Sequence, residues 1–195
     1  MTTSLFDPIQ LGAIHAPNRI LMAPLTRGRS EGVHVPISAL KADYYAQRAS
    51  AGLIIAEATG ISQEGSGWPA APGIWSAEHV EAWKPVTDAV HKADGRIILQ
   101  LWHMGRLVHP DFLAGAQPVS SSATTAPGYA NTPTGNQDYV DSRALRLDEI
   151  LHGRVDRRRI TALEGLAHCC DGLRHRLLVS VGELLLRPGI GHLLH

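Results

Sequence analysis

Three largely apolar runs mark the first hundred positions: Arg19-Ile20-Leu21-Met22-Ala23, Leu53-Ile54-Ile55-Ala56-Glu57-Ala58 and Ile97-Ile98-Leu99-Gln100-Leu101-Trp102. Short continuous runs of this kind suit strands buried on both faces. Pro24 closes the first, as expected where a buried parallel strand reaches its carboxyl edge. Between the runs the period changes. From Pro36 to Ser50, apolar groups at Ile37, Leu40, Tyr44, Tyr45 and Ala49 recur at helical spacing, and Gly52 supplies a stop. Ser76 followed by Glu78 and Glu81 predicts an N-cap with acids in the first turn. Val80, Trp83, Val86, Val90 and Ala93 then form an apolar stripe, with Gly95 at its end and Pro85 inside, where a bend is expected. Ahead of all this, Ile9-Gln10-Leu11 and Ala13-Ile14 read as a short hairpin turning at Gly12.

The order strand, helix, strand, helix, strand predicts an α/β protein with a parallel sheet and helical crossovers. Polar residues gather just after each strand: Thr26-Arg27, Glu57 to Thr59, and His103 to Arg106. In parallel α/β architectures ligand sites lie at that carboxyl edge. Residues 103 to 146 form a long Pro-, Ser-, Thr- and Gly-rich segment with weak periodicity, a length of loop that is usually functional or disordered.

Composition narrows the class. The chain has 195 residues, 44% hydrophobic, with 18 basic groups against 18 acidic, so its formal net charge is zero. That balance argues against nucleic acid or an anionic membrane as the main partner. No apolar stretch reaches the length of a membrane span, and the start lacks the features of a secretory signal, which makes a cytoplasmic protein the expectation. The two cysteines, Cys169 and Cys170, are adjacent, which fits neither a disulfide framework nor a CxxC metal site. Composition also breaks along the chain. All ten aromatic residues lie between Phe6 and Tyr139, and all three lysines precede residue 93. Residues 1–150 carry 11 basic and 14 acidic groups, whereas residues 151–195 carry 7 and 4. Such a shift marks a domain boundary, a basic tail or a changed reading frame.

Asn18-Arg19-Ile20 with Met22-Ala23-Pro24-Leu25-Thr26-Arg27 resembles the first strand of the old yellow enzyme family, in its N-ethylmaleimide-reductase-like branch. The resemblance continues through Tyr44-Tyr45-Ala46-Gln47-Arg48-Ala49, Glu57-Ala58-Thr59-Gly60-Ile61-Ser62, Ala71-Pro72-Gly73-Ile74-Trp75 and Gln100-Leu101-Trp102-His103-Met104-Gly105-Arg106, as far as Leu145-Arg146-Leu147-Asp148-Glu149-Ile150. It implies a TIM (β/α)8 barrel holding FMN. It also implies NADH or NADPH as reductant, and an enone, maleimide or nitro compound as the small-molecule substrate. Over residues 1–150 it implies about three βα units of that barrel, which is incomplete. Residues 151–195 form an unmatched tail, where Ile160, Leu163, Leu166, Leu177, Leu178 and Val181 favour helix.

Carried over residue by residue, the resemblance places Ala23, Pro24, Leu25 and Thr26 along one edge of the flavin. Pro24 removes a donor, and the Thr26 hydroxyl bonds the O4 edge. Ala58 offers a backbone N–H and leaves room for the ring, and Gln100 offers an amide to the O2/N3 edge. Trp102 and Trp68 are implied as substrate-pocket walls, and Thr26 and Trp102 as the catalytic-site residues. On the residues alone, Thr26 and Arg27 serve equally as a cap, Gln100 as a satisfied core amide, and the two tryptophans as core aromatics. His103 and Arg106 read as loop-organising.

The pattern departs from the family after Ile150. There the family has a His-x-x-His or His-x-x-Asn pair for the substrate oxygen, and often a tyrosine as proton donor. Here the chain reads Leu151-His152-Gly153-Arg154, and neither His168, followed by Cys169, nor His175, followed by Arg176, has that spacing. A TIM barrel takes eight strands and about 250 residues. A truncated or frame-shifted barrel portion, catalytically inactive and dependent on a partner chain, is therefore the alternative to an ene-reductase.

Overall fold

The structure, a computed structural model, describes residues 4–150; the helical expectation for residues 151–195 lies outside them. The chain opens with an antiparallel hairpin, β1 (Ile9–Leu11) and β2 (Ile14–Ala16), in which Leu11 faces Ile14. Gly12 takes φ +62° at the turn, the left-handed conformation that glycine adopts without Cβ strain. There follow β3 (Leu21–Met22), a small antiparallel pair β4 (Ser30–Glu31) and β5 (Val35–Pro36), helix α1 (Ser38–Ala46), β6 (Leu53–Gly60), helix α2 (Ala77–Lys92) and β7 (Ile97–Trp102).

The predicted parallel sheet is present, with strand order β3-β6-β7 and β6 in the centre. Tyr45 and Ala49 from the α1 segment, Trp83, Val86 and Val90 from α2, and Ile54, Ala56, Ile97 and Leu101 from the sheet make one buried cluster. Trp83 is wholly buried, and its indole N–H donates to the Gly73 carbonyl at 3.1 Å. Helix α2 starts as predicted at Ser76. The Ser76 hydroxyl accepts from the His79 amide, and the His79 ring accepts from the Ser76 amide, closing a capping box with histidine in the usual Glu/Gln position. The other ring nitrogen of His79 donates to the Val33 carbonyl at 2.9 Å. The helix runs on through Pro85 to Lys92 without interruption.

Several expectations are corrected. The first strand is only two residues long, and Ile20 and Leu21 are 44% and 46% exposed, because β3 is an edge strand of the sheet and pairs with β6 alone. Leu40 is exposed, and the position on α1 that turns inward beside Tyr45 is Lys41. At the end of α2 the left-handed residue is Asp94, at φ +57°; Gly95 is small for a different reason. A Cβ there would stand 2.7 Å from the Ala49 Cβ and 2.8 Å from Val90 Cγ1, so the missing side chain lets α1 and α2 close on each other.

Residues 103–146 carry more structure than their periodicity suggested. Two short 3-10 turns (Gly105–Leu107 and Pro110–Phe112) lead to β8 (Val119–Ser120), a hairpin of β9 (Tyr129–Thr132) and β10 (Gly135–Asp138), and β11 (Arg143–Ala144), which pairs in parallel with β8. The Asp111 carboxylate accepts from the Thr132 and Thr134 hydroxyls at 2.8 and 2.6 Å and pins the hairpin to the second turn. These bonds hold the Asp111 carboxyl below the usual aspartate value.

Candidate functional site

The site is set by a one-residue irregularity in β6. Ile54 and Ile55 pair with Ile97 and Ile98, but the next partners are Ala58 and Gln100, so β6 carries one residue more than β7 between those points. A bulge of this kind reverses which face the following side chains occupy. Ile54 and Ala56 pack with Leu101 against the helices. After the irregularity Glu57 also turns to the helix side, while Ala58 comes into register with Gln100 and Gly60 with Trp102. By strand alternation Gln100 and Trp102 lie on the face opposite Leu101, away from the helices. Ala58 is a strand residue as predicted, and β6 runs two residues further, to Gly60.

The segment leaving β3 reaches the same edge. The Arg27 N–H donates to Glu57 Oε2 at 2.9 Å. Residues 23–27 therefore run beside the carboxyl end of β6. The structure thus brings Ala23, Pro24, Leu25, Thr26, Ala58 and Gln100 to one edge of three adjacent parallel strands, with Trp102 at the end of the third. Ala58 is buried and Gln100 half-buried, while Leu25 and Thr26 are exposed. Among the described residues neither the Thr26 hydroxyl nor the Gln100 amide group is engaged in a hydrogen bond. Trp68 stands apart, 44% exposed in the loop that follows β6.

The His103 ring accepts from the Gly105 amide at 3.0 Å, and Arg106 donates to the Thr124 hydroxyl, so both organise the loop after β7. A Cβ at Gly65 would collide with the His103 ring. Burial there keeps the imidazole below its ordinary pKa. A cleft of about 470 Å³ opens elsewhere, between His34, Pro69, Phe112 and Asn131, and none of the candidate residues lines it. The convergence of unengaged polar groups, and not cleft size, is what marks the strand edge.

Sequence reasoning missed the group beneath this edge. Glu57, Lys41 and Tyr45 are buried together: Lys41 Nζ lies 2.6 Å from Glu57 Oε1, and the Tyr45 hydroxyl donates to the same oxygen at 3.2 Å. The Glu57 N–H donates in turn to the Tyr45 oxygen at 2.9 Å. Burial pulls the Lys41 ammonium below the usual lysine value, against the Glu57 charge, which pushes it up. Burial, and then the same carboxylate, drive the Tyr45 hydroxyl far above its ordinary value. A lysine four residues before a buried tyrosine was the available signal, since that spacing puts both on one helix face. Among the described residues no cluster of potential metal ligands occurs, and no helix is long and apolar enough to cross a membrane.

Comparison with known proteins gives a consistent picture. The NADH:flavin oxidoreductase / NADH oxidase family model matches residues 4–153. The structure superposes on the old yellow enzyme homologue from Zymomonas mobilis with a TM-score of 0.75 and 62% identity, over 79% of this chain and 43% of that one. Morphinone reductase, solved in complex with tetrahydroNAD, gives a TM-score of 0.74 and 45% identity, over 80% of this chain and 44% of that one. Flavin oxidoreductase hxnT of Emericella nidulans is 43% identical over 153 residues, covering 75% of this chain and 38% of that protein. 12-Oxophytodienoate reductase 2 of Arabidopsis thaliana is 38% identical over 177 residues, covering 87% and 45%. The chain thus spans less than half the length of these relatives.

Proposed function

The chain belongs to the NADH:flavin oxidoreductase / NADH oxidase family, and from that premise we propose that residues 1–150 are the FMN-binding portion of an ene-reductase barrel. Residues 151–195 form a separate segment in this reading. The observation that carries it is the register of Ala58 with Gln100, with residues 23–27 drawn alongside by the Arg27–Glu57 bond.

The donor set at this edge fits the pyrimidine side of a flavin. A flat ring needs a low floor and a few aimed polar groups. Ala58 supplies a floor one methyl high, and Gln100 supplies a donor and an acceptor together. Thr26 supplies a hydroxyl with no competing partner among the described residues, and Pro24 stiffens the turn without adding a donor. What FMN supplies when bound is hydride transfer from NADH or NADPH to the activated C=C bond of an enone or maleimide, or to a nitro compound. Trp102, at the end of β7, would wall the substrate side, with Trp68 contributed by the loop that follows β6. A cytoplasmic location, small-molecule substrates and no nucleic-acid or membrane partner complete the proposal.

A second reading is a non-catalytic barrel portion that pairs with a partner chain. The exposed Leu21 of β3, with the exposed Ile20 before the strand and Leu25 after it, favours it. FMN titration of the purified full chain, followed by visible absorbance after desalting and by circular dichroism, separates the two. Yellow colour that persists through desalting supports flavin binding. A folded chain that stays colourless at every FMN concentration rejects it in favour of the second reading.

A further inference from the structure

Glu57 is wholly buried on the helix side of β6, where an isolated carboxylate would be strongly disfavoured. Its two oxygens face different elements. Oε1 meets Lys41 and Tyr45 of α1, and Oε2 accepts from the Arg27 backbone at the far end of the segment leaving β3. That segment has little else to hold it. The β3–β6 ladder consists of Leu21 with Leu53 and Met22 with Ile54, and stops there. Leu25, Thr26 and Arg27 are exposed, so packing does not fix them. The Arg27 guanidinium sits 4.7 Å from the centre of the Tyr44 ring, again on α1.

We propose that Glu57 is the positioning residue of the site: by holding the Arg27 amide it fixes residues 23–27 at the edge of β6, so that the Thr26 hydroxyl meets the flavin at a set place. This rests on the flavin reading above. Lys41 supplies the counter-charge that lets a carboxylate occupy this position, and the irregularity in β6 is what aims it there. Neighbouring Ala58 and Glu57 then divide the work, the one flooring the ring and the other, through the sheet, placing the segment beside it.

The test compares the full chain with Glu57→Gln and with Lys41→Met/Glu57→Leu. In Glu57→Gln the Lys41 ammonium draws the amide oxygen, which turns the NH2 group toward the Arg27 N–H and removes its acceptor. The double variant removes the acceptor without leaving a buried charge unpaired, an exchange that folds often tolerate. Amide hydrogen exchange without FMN is read first. The Arg27 amide is expected to exchange about tenfold faster or more in both variants, the scale of a lost bond to a charged acceptor. The Ile54 and Val86 amides should keep their protection. FMN titration then reads the site: the dissociation constant should rise about tenfold and the flavin absorption band should shift in both variants. An unchanged Arg27 amide in a double variant whose core stays protected overturns the proposal. So does faster Arg27 exchange with flavin affinity and absorption unaltered, since Glu57 would then serve the scaffold alone. If the unmodified chain takes up no FMN, the flavin reading fails and this one with it; that outcome is told apart by the unmodified chain's own titration.

Discussion

Trp83 is the residue on which the helix-to-sheet packing depends most, and its replacement can be worked through. Its side chain has no exposure, packs among Ile54, Val86 and Leu101, and donates to the Gly73 carbonyl. Truncating a buried tryptophan to alanine costs about 3–5 kcal/mol through lost burial and the cavity left behind. The lost bond to Gly73 adds about 1 kcal/mol. Against a total stability of about 5–15 kcal/mol, typical of single domains, Trp83→Ala removes about a quarter or more. With a urea slope near 2 kcal/mol/M, the unfolding midpoint should fall by about 2–3 M. Trp83→Phe keeps most of the ring and loses mainly the hydrogen bond, so its midpoint should fall by roughly 0.5–1 M. Far-ultraviolet circular dichroism against urea measures both. Should the alanine variant unfold no earlier than the phenylalanine variant, the indole is not the centre of the core and the reasoning is wrong.

Two further outcomes follow from the same packing. Gly95→Ala drives a methyl into Ala49 and Val90, at 2.7 and 2.8 Å, and is expected to cost about 1–3 kcal/mol as an overpacked contact; an unchanged thermal midpoint would show that α1 and α2 can separate freely. Burial lowers the pKa values of His79 and His103 in the folded chain below 6.5, so both stay neutral while the unfolded chain takes up protons. Stability should therefore be full above pH 6.5 and decline as pH falls through 6.5 toward the folded values, which urea midpoints at a series of pH values would reveal; a midpoint that rises on acidification contradicts the assignment.

The elements with strong periodicity were legible from residues alone. The six-residue run at Ile97 and the stripe from Val80 to Val90 each follow a single rule, and the structure follows them. Ser76 announced its helix because a cap is a local event. What was not legible depends on distant partners. The shortness of β3 reflects its edge position in the sheet, which its own apolar residues cannot report. Lys41 reads as a surface residue until Glu57, sixteen positions later, is known to face it. The small size of Gly95 looked like a helix stop because both causes ask for the same residue. The hairpin at Tyr129–Asp138 is polar on its exposed strand and held by Asp111, so no alternation betrayed it. At the site, the resemblance gathered the right segments, while the extra residue in β6 that orients them leaves no mark in composition or period.

That extra residue keeps Glu57 on the side of Ala56 and returns Ala58 to the other, so positions 57 and 58 answer to opposite faces of the sheet. A substitution at 57 is felt as charge and hydrogen bonding within the scaffold, and one at 58 as height beneath whatever lies on the other side. Affinity for a planar ligand can thus be adjusted at one codon while the frame that supports it is maintained at the next. Were β6 paired without that irregularity, Glu57 would stand opposite Gln100 and Ala58 opposite Leu101, placing a carboxylate on the ligand face and a methyl group on the side of Lys41.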